Sequence, residues 1–327
     1  MRDVEHREEI RPSHWSTRDR MFHGPGIIHY IILDTGGCHW ARKTGGCSMC
    51  GFIADTCARD VSDEELRREI DDVVARIPDS QGPFGLKIFT SGSFLDTREI
   101  SEENREYLLA ELADKPGISE MTVESRPEFV VDESVSAVVS ALPDVEVEVA
   151  LGLESSSDWV RENCVGKGFS LEDFGKASRT ARQSGARVKT YLLLKPPFMS
   201  EFDAAYDCVR SAKDISGETD SISINACNVQ RGTLVQELFK RREYRPPWIW
   251  TVLDVLKQAR DALPSEKNVI CDTVAFGKRR GPYNCPRCNK RAVSMVEAFS
   301  LGQDPRELEG LECDCRGRWT EIYNYHF

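Results

Sequence analysis

The sequence predicts an α/β protein: a partial or complete (β/α) barrel followed by a small cysteine-rich segment. Three observations carry this. Apolar strand-like runs alternate with amphipathic helical runs from residue 26 to about 275. The strand runs are almost continuously apolar, as parallel strands covered on both faces must be. Polar residues recur just after those runs, where barrel enzymes place their active sites. A doubly wound open sheet is the second reading of the same rhythm.

The elements follow in order. GIIHYIILDT (26–35) is isoleucine-rich and opens with glycine, which predicts the first strand. SDEELRREIDDVVARI (62–77) begins with the capping box Ser62 and Glu65. It sets Leu66, Ile70, Val73, Val74 and Ile77 on one helical face. Strand–helix pairs then repeat: GLKIF with SEENREYLLAELADK, SEMTVESR with DESVSAVVSAL, and VEVEVALGLES with SLEDFGKASRTARQSG. ARVKTYLLLK with EFDAAYDCVRSAKDI continues the rhythm. DSISINACN precedes two helices, GTLVQELFKR and PPWIWTVLDVLKQARDAL, and NVICDTVAF closes the series. The expected division is an N-terminal extension (1–25), the barrel (26–275) and a metal-binding module (276–327). The polar strand-end residues are Cys38, Ser91, Gly92, Ser93, Glu124, Arg126, Glu154, Lys195 and Asn225.

Composition bounds the function. The 327 residues are 40% hydrophobic and 30% charged, with net charge −11, so nucleic acid is not the default partner. Charge is uneven, however. Residues 278–291 hold six basic side chains and no acidic one, which leaves a local phosphate-binding patch open beside the plainer reading of a solvated face. No apolar run reaches the roughly 20 residues of a membrane helix, and the opening residues do not read as a secretory signal. A cytoplasmic protein without a membrane partner is expected. Twelve cysteines in a reducing compartment point to metal rather than disulfides.

Cys38, Cys47 and Cys50 form C-x8-C-x2-C directly after the first strand. A closed zinc site needs four ligands, and His39 or Cys57 could complete one. A 4Fe–4S cluster held by three thiolates is the alternative. It leaves one iron free to bind a small molecule. No GxxxxGK[ST] loop, HExxH motif or Ser/His/Asp arrangement is present.

The loop CHWARKTGGCSMCGF, with Phe52 two residues after its last cysteine, resembles the cluster loop of radical S-adenosylmethionine (SAM) enzymes. Its long spacing is similar to that of the Elongator-like branch, as is ESRPEF (124–129). TSGSF (90–94) and GLES (152–155) resemble that family's cofactor-facing strand ends. CNVQRGTLVQELF, YRPPWIW and CDTVAFGKRRGPYNC resemble the radical subunits of archaeosine synthases. The resemblance implies a 4Fe–4S cluster on Cys38, Cys47 and Cys50. It implies SAM contacts among Phe52, Ser91, Gly92, Ser93, Glu124, Arg126, Glu154, Lys195 and Asn225. Reductive cleavage of SAM would give a 5′-deoxyadenosyl radical, and an external donor would supply the electron. The radical would act on a lysine attached to 7-cyano-7-deazaguanine in archaeal tRNA, and C–N cleavage would leave archaeosine. A lysine-transferring subunit would be the partner.

Lys195 could hold a carboxylate of cofactor or substrate, or snorkel at the barrel rim. In the tail, Cys285, Cys288, Cys313 and Cys315 read as a closed zinc site or a second cluster, with Cys271 as a substitute ligand. Cys164, Cys208 and Cys227 are expected to be buried hydrophobes. Two other functions compete: a radical enzyme with a different tRNA product, and a zinc-binding scaffold without catalysis.

Overall fold

The structure is a computed structural model. It describes residues 13–51, 61–79 and 82–325. The strands are β1 (Ser13–Arg20), β2 (Pro25–Ile32), β3 (Phe84–Phe89), β4 (Ile118–Ser125), β5 (Glu146–Glu154), β6 (Arg187–Leu194), β7 (Ser221–Ala226) and β8 (Asn268–Ile270). Their order in the sheet is their order in the chain. The helices are α1 (His39–Thr44), α2 (Asp63–Arg76), α3 (Glu102–Ala113), α4 (Asp132–Ala141) and the single turn α5 (Asp158–Val160). After them come α6 (Leu171–Gln183), α7 (Glu201–Asp214), α8 (Leu234–Lys240), α9 (Ile249–Ala262), α10 (Asn289–Gly302) and α11 (Cys315–Tyr323). Sequential strands joined by helices are the arrangement of a partial (β/α) barrel, the expected fold class.

Two compact units divide the chain. One holds residues up to 46, 52–151 and 172–188; the other holds 47–51, 152–171 and 189–327.

In the first unit, β2 pairs in parallel with β3, β3 with β4, and β4 with β5. β1 pairs antiparallel with β2, from Ser13 opposite Ile32 to Arg20 opposite Pro25. This strand lies inside the stretch read as an N-terminal extension, and SHWSTRDR lacks the apolar run that would have announced it. Cross-strand stacking supplies what hydrophobicity does not: Trp15 lies on Tyr30, and His14 on His29. The Ser62–Glu65 capping box forms as expected, each side chain accepting the other's backbone N–H at 3.2 and 3.0 Å. It starts α2 in the register that buries Leu66, Ile70, Val73 and Val74.

In the second unit, β6 pairs in parallel with β7, and β7 with β8. The last strand keeps only Asn268–Ile270 of the nine residues read as strand. Cys164, Cys208 and Cys227 are buried, as expected. The tail contains two helices. α10 buries Ala292, Met295, Val296 and Phe299, spaced as one helical face.

Candidate active site

The eight-residue spacer after Cys38 is a short helix. Cys38 occupies the N-cap position of α1, and the helix stops at Gly45, where φ is +93°. Gly46 continues the left-handed turn at +84°. The spacing that departs from the commonest cluster loop is thus a folded turn of helix with a glycine exit.

Around Cys38 the first unit gathers three strand ends. Gly92 leaves no room for a side chain: an added Cβ would lie 2.1 Å from Glu99 Oε1 and 2.7 Å from Cys38 Cα. Glu99 accepts the Ser93 N–H at 2.8 Å and the Thr35 hydroxyl at 3.1 Å. Burial pushes its carboxyl up to about 7, against these hydrogen bonds. Ser93 is fully buried, and its Oγ accepts the Arg126 N–H at 3.0 Å. The Glu124 carbonyl accepts the Phe94 N–H at 2.8 Å. Arg126 binds Glu128 at 2.5 Å and lies over the Trp40 ring, two residues from Cys38. The expected residues Ser91 to Ser93, Glu124 and Arg126 therefore share one neighbourhood with Cys38. Glu99 and Thr35 belong to it too and were not read from the sequence.

Cys47 and Cys50 belong to the second unit, on a turn closed by Cys50 N–H to Cys47 O at 3.2 Å. The turn is held on both sides. Ser48 donates its N–H to Val165 O (2.8 Å) and its hydroxyl to Cys164 O (2.6 Å), and Ser48 O accepts the Val235 N–H (3.2 Å). The Gly51 N–H donates to Gln230 Oε1 at 2.6 Å, and an added Cβ there would meet Arg231 O at 2.9 Å. Beneath it, Cys47 and Met49 pack on a core that includes Cys164, Cys227 and Val229. Phe52 lies outside the described residues, as does Cys57.

The second unit also brings the later strand ends side by side. Glu154 (φ +71°) and Lys195 (φ +63°) are non-glycine residues in the left-handed region, a strained conformation that folds retain at sites. Glu154 binds Lys167 at 2.7 Å, both buried, and Gly152 makes the space for that pair. The Lys195 side chain is largely covered, 11% exposed, rather than snorkelling, and the carboxylate it holds is the chain's own Glu201, at 2.5 Å. Glu201 also accepts the Trp248 N–H (2.7 Å) and the Thr251 hydroxyl (2.6 Å). The Lys195 carbonyl accepts from Tyr244 at 2.8 Å. Asn225 stands opposite Leu193 on the neighbouring strand and accepts from the Ser223 hydroxyl at 3.1 Å. Lys167, Glu201 and Tyr244 were missed by sequence reasoning. GKGF and SEF lie beside the strand ends but carry no motif.

In the tail, the four thiols of Cys285, Cys288, Cys313 and Cys315 lie within 4.8 Å of one another. Three of the separations are 3.5, 3.6 and 3.6 Å. A tetrahedral ion at about 2.3 Å from each sulfur requires edges of roughly 3.8 Å, whereas a cubane holds its thiolates farther apart. The set fits one ion. Burial alone would raise Cys285, but hydrogen bonds from the Cys288 N–H and the neighbouring thiols bring it down to about 7. Burial pushes Cys288 well up. Trp250 donates its indole N–H to the Cys315 sulfur at 3.3 Å, and Trp319 donates to the Thr251 hydroxyl at 2.9 Å. Cys271 stands outside the group. It is buried, with its N–H on Ser300.

No family model matches the sequence. It is 38% identical to archaeosine synthase subunit beta of Methanosarcina acetivorans, over 98% of this chain and 94% of that protein. Against the subunit of the same name from Thermococcus kodakarensis it is 37% identical over 95% and 96%. The chain belongs to the archaeosine synthase subunit beta family. Among solved structures, the Elp3 of Methanocaldococcus infernus superposes with TM-score 0.50 at 20% identity, over 73% of this chain and 59% of that one. The subunit beta fold is thus shared with that Elp3 over most of this chain. Among the described residues of this subunit beta relative, no helix is long and apolar enough to cross a membrane.

Proposed function

We propose that this chain is the radical SAM subunit of an archaeosine synthase. The observation that carries the reading is near-full-length similarity to two proteins of that name, in a chain that places three cysteines on a loop after β2. Cys38, Cys47 and Cys50 would hold a 4Fe–4S cluster. SAM would lie against Ser91 to Ser93, Glu124 and Arg126, and against Glu154, Lys195, Asn225 and Phe52. Bound there, cluster and SAM would supply hydrogen-atom abstraction. The protein's own part is position and exclusion of water. Glu99 fixes the Ser91–Ser93 turn beside Cys38, and Glu201 fixes Lys195 at the end of β6.

The substrate would be a tRNA in which lysine is joined to 7-cyano-7-deazaguanine, delivered by a lysine-transferring partner subunit. The reaction would be cleavage of the lysine C–N bond, with an external electron donor. Residues 26–275 would form the catalytic barrel, with 276–327 a module closed by zinc on its four cysteines.

The test uses protein reconstituted anaerobically with iron and sulfide, beside a Cys47→Ala variant. With reductant and SAM, the wild type should be brown and release 5′-deoxyadenosine, and lysine-bearing tRNA should be converted to archaeosine. The variant should do neither. A wild-type protein that cleaves SAM but leaves this tRNA unchanged would sink the substrate assignment. A colourless one holding only zinc would sink the radical reading.

A further inference from the structure

A cavity of about 750 Å³ opens in the tail segment, within the usual ~300–1,000 Å³ of ligand pockets. Phe276 and Tyr283 line it with Lys278 and Lys290. Lys278 starts the run Lys278-Arg279-Arg280, and all four cations are exposed. None of the four pairs with a carboxylate among the described residues. The other two cations of the 278–291 run are engaged: Arg287 pairs with Asp314 at 2.9 Å, and Arg291 donates to Gly310 O.

The loop that presents these cations is tightly folded. Gly277 N–H donates to Pro282 O (2.8 Å), Gly281 N–H to Lys278 O (3.0 Å), and Val229 N–H to Arg280 O (2.7 Å). A Cβ on Gly281 would lie 2.2 Å from Ala275 O, so glycine is required there. Lys278 and Lys290 thus line an aromatic-walled cavity, and Arg279 and Arg280 follow Lys278 on the same folded loop, on a chain whose net charge is −11. Like charges held together without counter-ions are an unfavourable arrangement that an anion relieves. A cavity with an aromatic wall suits a base with its phosphates outside.

We infer that this cavity and its basic rim bind the RNA substrate, one nucleotide entering between Phe276 and Tyr283 while flanking phosphates lie on Lys278, Arg279, Arg280 and Lys290. This rests on the proposed tRNA substrate. Glu297, at the cavity wall, is engaged by the Thr273 hydroxyl at 3.0 Å and sets the polarity of one side.

The experiment measures tRNA binding by the full chain from about 50 to 300 mM salt, for wild type, K278A/R280A/K290A and Tyr283→Leu. Each lost phosphate contact lowers the salt slope by about 1, so the triple variant should bind at least about tenfold more weakly with a slope smaller by about 2 to 3. Tyr283→Leu should weaken binding at unchanged slope. Iron content and RNA-independent SAM cleavage should match wild type in both. Wild-type affinity and slope in the triple variant would overturn the inference and leave the proposed function standing. The inference falls in the same way if the triple variant binds RNA normally but loses the partner subunit, since the surface then serves a protein. A wild type that cleaves SAM yet binds no tRNA would overturn both.

Discussion

Lys195 and the buried Glu201 form a largely covered ion pair at the end of β6, 2.5 Å apart, in which the lysine backbone is left-handed and the carboxylate accepts from two further donors. Removing one member strands the other. Glu201→Ala should cost about 3–5 kcal/mol. The double variant K195M/E201Q should recover part of it, because no charge is left unpaired. Thermal melts of the three proteins check this; equal melting temperatures for Glu201→Ala and wild type would show that the pair is not structural.

Gly92 is held between Cys38 and Glu99, and a methyl group has no room there. Gly92→Ala should destabilise by about 1–3 kcal/mol and displace the backbone that carries Cys38. Iron incorporation on reconstitution should fall with stability. A variant that takes up wild-type iron with an unchanged melt would contradict the close packing.

The four tail thiols should hold one metal ion per chain. Cobalt substituted for it should show the strong visible bands of a tetrahedral thiolate site. Cys313→Ser should lose the ion and lower the melting temperature by several degrees, because metal affinity in such sites is folding free energy. Iron bound at this site in protein made without iron limitation, with sulfide present, would reveal a cluster instead.

Stability should also depend on Glu69. Burial pushes its carboxyl up to about 8 from an ordinary 4.5; the Asp34 N–H it accepts at 2.7 Å works against that shift. Its second oxygen is buried with no hydrogen-bond partner among the described residues. The folded state therefore binds this proton more tightly than the unfolded chain. The stabilisation is complete below pH 4.5 and is lost as pH rises to about 8. Glu69→Gln should remove that slope and gain on wild type at pH 8. Parallel stability–pH curves for the two proteins would refute the assignment.

The helices and most strands were legible because their signals are local. Ser62 and Glu65 announce α2, and the apolar runs announce β2 to β7. β1 was not legible, because its eight residues are polar or aromatic and become a strand only against β2. The helix α1 hid inside the cysteine spacing, where paired glycines read as loop. α10 does carry a helical face, but the cysteine pair before it drew the reading to metal. Strand-end position singled out Ser93, Arg126, Glu154 and Lys195 as candidates. Their partners Glu99, Lys167 and Glu201 came from no motif. A buried charge acquires its counter-ion through the fold, and sequence separation says little about which residue that will be.

Thr251 has one hydroxyl proton, and its surroundings decide where that proton goes. The Trp319 indole can only donate, so it occupies a lone pair of the threonine oxygen and leaves Thr251 to donate to Glu201. Glu201 in turn receives from three sides, one of them the Lys195 ammonium. A donor-only indole on one side and an acceptor-only carboxylate on the other thus fix the direction of this hydroxyl between the tail and the rim of β6. Replacing Trp319 with phenylalanine would remove the donor and leave one lone pair of the threonine oxygen without its partner.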